Sequence, residues 1–241
     1  MKPGHRNIIR STASSHFDKK KGERESFVPA YQPDVIHGKG RGVVILLHGA
    51  PGVGKTATAE AVAQEFKKPL FPITRGDLGT TPVDVEKTLK DIFRYAHLWD
   101  CILLLDEADV FLTQRDRTDV ERNALVSEYY NGILFLTTNR VGALDEAFRS
   151  RVHVSLYYPP LSLSDTLAIL KDNLNRLPRV ENLPEGEEAG PGHIQVQDEE
   201  IEGFITDEFS MRYEKYRRGP WNGRQICNAV QIASCLAFYE V

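Results

Sequence analysis

Uninterrupted apolar runs alternate along this chain with segments whose apolar residues recur every three or four positions. Val43–Leu47, Cys101–Leu105 and the run within Gly132–Asn139 have the length of buried strands and fall well short of a membrane span. Leu70–Ile73 and Val152–Tyr157 read as further short strands. Between them, Ala57–Phe66 sets Ala59, Val62, Ala63 and Phe66 on one helical face. A second helix is predicted with Thr81 as N-cap, Pro82 and Asp84 in its first turn, and Val85, Leu89, Ile92, Phe93 and Ala96 buried, ending near His97. Continuous apolar strands separated by helices predict an α/β protein with a parallel sheet buried on both faces.

Past Pro159-Pro160 the pattern is helical. Ser162–Leu177 carries Leu163, Leu167, Leu170 and Leu174, and a last helix from Asn222 turns Ile226, Ala229, Val230, Ala233 and Leu236 inward. Residues 181–200 hold seven acids and neither Lys nor Arg, with Pro184, Gly186, Gly190, Pro191 and Gly192, and read as a flexible acidic loop. At the other end, Lys2, Arg6, Arg10, Lys19, Lys20, Lys21 and Arg24 outnumber Asp18, Glu23 and Glu25. Residues 1–34 therefore read as a solvated basic arm and linker, partly disordered, with a short helix over Arg6–Phe17. The first seventeen residues, acid-free and with several serines, have a faint likeness to a mitochondrial transit peptide.

Composition narrows the class. With 241 residues, 41% hydrophobic and 27% charged, the chain is an ordinary globular protein of one large domain or a core and a small one. A net charge of −4 argues against a nucleic-acid-dominated role and disfavours a DNA-remodelling reading. Cys101, Cys227 and Cys235 show no metal spacing and read as reduced core thiols. The expected setting is intracellular, cytoplasmic or nuclear before mitochondrial, with no membrane span.

Chemistry enters where the first strand ends. Gly49-Ala50-Pro51-Gly52-Val53-Gly54-Lys55-Thr56 fits the phosphate-binding pattern GxxxxGK[ST], with a strand before it and a helix after. Glycines let backbone N–H groups curl around phosphate oxygens, and the helix N-terminus points its positive end at them. Gly49, Pro51, Gly52, Val53, Gly54, Lys55, Thr56 and Ala57 make up this cradle. Lys55 supplies a cation for the outer phosphates, and the Thr56 hydroxyl can ligate magnesium. Asp106 and Glu107 follow the Cys101–Leu105 strand, where ligands bind in open α/β sheets. Asp106 suits the metal and Glu107 the polarisation of an attacking water. Asn139, at the next strand's end, can orient that water or the γ-phosphate.

The segments GAPGVGKT, CILLLDEADVF, LFLTTNR and LDEAFRSRVHV, in that order, resemble an AAA+ ATPase, with wording similar to fungal AAA-type ATPases. The resemblance covers residues 35–160 strongly and 161–241 more loosely. It implies a P-loop NTPase three-layer sandwich over 35–160, followed by a small helical lid over 161–241. It also implies ATP and Mg²⁺ as ligands, Asn139 as sensor 1, and Arg151, with Arg149 as second candidate, as an arginine finger reaching a neighbouring subunit's nucleotide. Trp221-Asn222-Gly223-Arg224 is similar to the sensor 2 motif, which brings Arg224 to the nucleotide. The implied form is a homo-oligomeric ring or partial ring remodelling a protein substrate.

Two departures bear on that expectation. Thr74–Thr80 lacks the aromatic-apolar pair that lines the pore of many such translocases. The segment Ala124–Gly132 is shorter than in the sequences it resembles, keeping open an alternative: a nucleotide-binding interaction module with little or no hydrolysis.

Overall fold

A computed structural model describes residues 3–25, 42–78, 82–110, 131–140, 142, 149–179, 194–214 and 220–239. Contacts divide the chain into two units, residues 1–49 with 54–158, and residues 50–53 with 159–241.

The first unit is built on a five-stranded parallel sheet of β1 (Val43–Gly49), β2 (Leu70–Ile73), β3 (Ile102–Leu105), β4 (Ile133–Thr138) and β5 (Val154–Tyr158). Their order is β2-β3-β4-β1-β5, so β1 pairs on both edges. This is the α/β sandwich the apolar runs predict. Every residue of β3 and β4 is buried, as parallel strands covered on both faces require. Val44, Leu46, Leu103, Leu105, Leu134 and Leu136 share one core with Leu89, Ile92, Phe93 and Ala96 of α3 (Pro82–Trp99). Alternation along the strands turns Ile45, Leu47, Leu104 and Phe135 to the opposite face. Helix α2 (Lys55–Glu65) buries Thr58, Ala59, Val62 and Ala63.

Lys67 and Asp100 adopt left-handed backbone just past these two helices. In each case an amide one residue on closes a Schellman turn, Lys68 onto the Ala63 carbonyl at 2.9 Å and Cys101 onto the Ala96 carbonyl at 3.0 Å. Each helix thus turns sharply into the next strand.

The N-terminal segment departs from expectation. Instead of a solvated arm with a helix over Arg6–Phe17, α1 runs from Pro3 to Glu25 and belongs to the first unit. Ile9 and Ala13 are fully buried, the Phe17 ring meets Phe66 at 5.2 Å, and Arg10 pairs with Glu65 at 2.6 Å. Burying one isoleucine stabilises by about 1.5–3 kcal/mol. A surface ion pair contributes about 1 kcal/mol at most. Packing on α2 therefore holds α1, which its net charge concealed. The linker residues 26–41 lie outside the described residues.

In the second unit, α4 (Leu163–Leu174) begins with a capping box, Ser162 accepting from the Asp165 amide and Asp165 from the Ser162 amide. Helix α5 (Asp198–Glu214) was not legible in the sequence. Helix α6 (Gly223–Tyr239) starts one residue after the predicted Asn222, which caps it reciprocally with Gln225. Leu170, Leu174, Ile194, Val196, Ile205, Ile226 and Val230 form this unit's core. The buried Arg179 guanidinium forks onto both Asp198 oxygens at 2.6 and 2.9 Å, tying the end of α4 to the start of α5.

Three expectations are corrected here. The acidic loop over 181–200 ends sooner, because Ile194 and Val196 are buried and Asp198, Glu199 and Glu200 form the first turn of α5. Acids at that end favour helix through the macrodipole; residues 180–193 lie outside the described residues. On α6 the buried stripe is Ile226, Val230 and Ser234, leaving Ala233 and Leu236 exposed. Cys101 is buried as expected, but Cys227 and Cys235 are exposed because they fall off that stripe.

Asp100 is held by Lys20 of α1 and Lys68 beyond α2. Burial alone would raise its pKa, but the two ammonium groups outweigh this and hold it down to about 2. A depressed carboxylate stabilises above its unfolded value and loses that contribution as pH falls through its folded one. Between about pH 4 and 2 the wild type is therefore expected to lose more stability than Asp100→Asn, by on the order of 1 kcal/mol after screening. Urea melts at stepped pH measure it; parallel curves for the two proteins would refute the clamp.

Candidate active site

Three parallel strands deliver the candidate residues at their C-terminal ends. Gly49 closes β1 with φ +137°, and a Cβ there would lie 1.9 Å from the Tyr158 carbonyl oxygen across the β1–β5 ladder. Only glycine lets the chain leave the strand here. Gly54, at φ +94°, is the N-cap of α2; no side chain caps that terminus, and a Cβ on Gly54 would meet open space. A helix N-terminus left without a side-chain cap suits an anion.

Lys55 is the first helical residue and is buried. Its Nζ donates to the Gly49 carbonyl at 3.0 Å and to Asn139 Oδ1 at 2.7 Å. Burial lowers its pKa, and the charges of Asp106 and Asp109 oppose that. Thr56 Oγ1 reaches the Asp106 carboxylate at 3.2 and 3.3 Å. Lys55, Thr56, Asp106 and Asn139 are thus brought together, although Lys55 and Asn139 stand 84 residues apart. The Thr56 hydroxyl and Asp106 carboxylate are hard oxygen donors of the kind magnesium takes, so this pair fits the ion.

Glu107, exposed and one residue on, has φ +53°. Unlike Lys67 and Asp100 it ends no helix, and backbone strain of this kind concentrates at functional sites. Its amide donates to Thr137 Oγ1 at 3.2 Å, and the Thr137 hydroxyl donates in turn to Asp106. Thr138, also buried, donates to Asp109 Oδ1 at 2.7 Å and accepts from the Arg140 amide at 2.9 Å. Sequence reasoning assigned nothing to Thr137, Thr138 or Asp109. The signal was available: two adjacent hydroxyls at the end of an apolar strand need partners once buried.

Arg149 is exposed and Arg151 half-buried, just ahead of β5. Arg149 acts through charge on His48, whose pKa is lowered by burial first, then by Lys55 and Arg149. Nearby, the His153 Nδ1 accepts the Val44 amide at 3.0 Å, fixing the entry to β5. Leu144–Phe148, Thr81 and most of Ala124–Gly132 lie outside the described residues. In the Thr74–Thr80 stretch, Arg75–Leu78 is a 3₁₀ turn that buries Leu78.

Within the second unit, Ala50–Val53 joins the start of α6. The Gly223 amide donates to the Gly52 carbonyl at 2.8 Å, and a Cβ on Gly52 would overlap the Asn222 side chain at 2.5 Å. Arg224, exposed in the first turn of α6, follows directly. Pro51, Val53 and Ala57 line the same turn and the helix it opens by virtue of their places in the chain.

A glycine turn after a central parallel strand, a Lys-Thr pair at a helix N-terminus and a carboxylate against that threonine define a P-loop nucleotide-binding protein. The family described as "ATPase family associated with various cellular activities (AAA)" matches residues 45–160. A spastin homolog of Caenorhabditis elegans is 38% identical over 112 residues, 45% of this chain and 22% of that protein. Among solved structures, one entitled "Structural Basis for Katanin Self-Assembly" aligns with TM-score 0.57 at 18% identity, over 82% of this chain and 59% of that one. The FIGL-1 AAA domain in complex with ADP aligns with TM-score 0.52 at 20% identity, over 82% and 62%. Residues 45–160 thus carry the likeness of this chain to the AAA+ ATPases. It spans about a fifth of the length of the spastin homolog it matches.

Gly49→Ala is expected to cost about 3 kcal/mol or more, from strain and overlap with the β5 backbone. Gly54→Ala, strained in φ but clear of contacts, is expected to cost less. Chemical denaturation of both variants ranks them; an equal loss would show that the Tyr158 contact carries no weight.

Proposed function

We propose that this chain binds ATP with magnesium at the Gly49–Thr56 turn and hydrolyses it, coupling hydrolysis to remodelling of a macromolecular, protein substrate. The reading rests chiefly on one observation: Lys55, Thr56, Asp106 and Asn139 converge through hydrogen bonds at the ends of β1, β3 and β4. Thr56 and Asp106 would hold the magnesium ion, which neutralises phosphate charge when bound. Lys55 is displaced in this reading from its carbonyl and amide partners onto the outer phosphates. Glu107 acts as the base that polarises water, and Asn139 orients that water. Adenine nucleotide is supported by the ADP complex of the FIGL-1 AAA domain.

Arg151, with Arg149 as the second candidate, would reach the nucleotide of an adjoining copy, and Arg224 would come from the lid formed by residues 161–241. Assembly of copies into a ring or partial ring is supported by the katanin structure, whose subject is self-assembly. No helix of the described residues is long and apolar enough to cross a membrane; the setting we infer is cytoplasmic or nuclear. The acidic balance of the chain supports a protein substrate over nucleic acid.

ATP turnover of the purified chain across a concentration series, beside Glu107→Gln, tests the reading. Turnover per chain is expected to rise with concentration and to fall by about 100-fold or more in Glu107→Gln. A wild type that binds nucleotide but never exceeds the Glu107→Gln background would sink hydrolysis and leave the binding module. Lys55→Ala is expected to abolish nucleotide binding by calorimetry. Arg151→Ala should retain binding while losing turnover; loss of binding would make Arg151 structural.

A further inference from the structure

The end of β4 repeats one arrangement twice. The Thr137 hydroxyl donates to a carboxylate from the end of β3, Asp106, and accepts a backbone amide, that of Glu107. The Thr138 hydroxyl donates to another carboxylate from the same segment, Asp109, and accepts the Arg140 amide. Successive residues of a strand face opposite ways, so the two threonines brace different groups. Asn139 sits between the amide held by Thr138 and the strand end, and its Oδ1 takes the hydrogen bond from Lys55.

We propose that Thr138 and Asp109 are positioning residues for Asn139, a second brace beside the Thr137–Asp106 pair that sets the sensor amide against Lys55. A threonine hydroxyl has one proton and two acceptor sites. Because Asp109 takes the proton, the oxygen's lone pairs face the Arg140 amide, and the backbone leaving β4 is fixed at the residue that follows Asn139. Thr138 is 1% exposed, so its hydroxyl has no solvent to turn to if either partner is lost. Asp109 lies close enough for its charge to act on Lys55 as well. The short turn Ala108–Val110 carries Asp109, and Ala108 anchors that turn in the core shared by Leu105 and Leu136.

The brace serves the ATPase reading above and rests on it, but part of its test needs no turnover. Thr138→Val removes the hydroxyl at nearly constant volume, and Thr138→Ser keeps it. Hydrogen exchange of the Arg140 amide is expected to quicken in Thr138→Val and Asp109→Ala and to stay slow in Thr138→Ser. The Asn139 side-chain amide should shift in nitrogen–proton correlation spectra of the same two variants alone. In ATP turnover, a displaced sensor amide should lower kcat by about 10- to 100-fold with KM within about twofold. Thr138→Ser should restore it.

Unchanged exchange at Arg140 in Thr138→Val overturns the brace whether or not the wild type hydrolyses ATP. So does an equal loss of kcat in Thr138→Val and Thr138→Ser, or a fall in kcat matched by a rise in KM, which marks general damage. A wild type no faster than Glu107→Gln strikes the ATPase reading instead, and the exchange and spectral readouts then decide the brace by themselves.

Discussion

Pairing of β1 on both of its edges is the constraint on which the rest of the first unit depends. Val43 to His48 lie in register with Ile133 to Thr138 on one side, and Ile45 to Gly49 with Val154 to Tyr158 on the other. A strand hydrogen-bonded on both sides and buried on both faces cannot slip by one residue without turning its apolar set over. That register puts His48 beside Thr138 and Gly49 beside Tyr158, so the glycine turn and the polar end of β4 emerge at one level. Lys55 and Asn139 meet because the ladder leaves them no other height. Tyr158 adds a second tie, its hydroxyl 2.9 Å from Thr58 Oγ1 on α2. The helix that carries Lys55 is thereby fastened to the strand that forbids a side chain at Gly49.

Much of this was readable from the chain because buried parallel strands announce themselves as unbroken apolar runs. Val43–Leu47 and Cys101–Leu105 lie within a residue or two of the observed strands, and the motif residues at their ends follow at once. What escaped reading was set by tertiary contact. The basic charge of residues 1–25 reads as solvation until Ile9, Ala13 and Phe17 are seen to share a face. Helix α5 has acids on most sides and little amphipathic signal, and it is held by Ile205 and the Arg179–Asp198 fork. Ile232 and Leu236 show that an apolar residue on a helix does not by itself say which way the helix is turned.

At the candidate site the legible part was the residues with a named chemistry, and the illegible part was their support. A pattern search finds Lys55, Asp106 and Glu107 because phosphate and metal chemistry restricts the residue type. Threonine in a strand is also a common packing choice, so Thr137 and Thr138 carry no message until burial forces their hydroxyls to find partners. The second unit makes the same point, with the Gly223 amide on the Gly52 carbonyl invisible in sequence. That bond joins the Ala50–Val53 turn to the start of α6 within the second unit.

Helix α1 has a consequence for the order in which the molecule can be made. Its clamp on Asp100 joins residues 80 positions apart, and its packing partner Phe66 lies some way downstream as well. During synthesis the chain emerges from its N-terminus, at about 5–20 residues per second. Helix α1, made ahead of these partners, must therefore wait several seconds, with Ile9 and Phe17 uncovered, until α2, α3 and the start of β3 have appeared. Its lysines and arginines serve it in that interval, keeping an exposed apolar stripe in solution before its place exists.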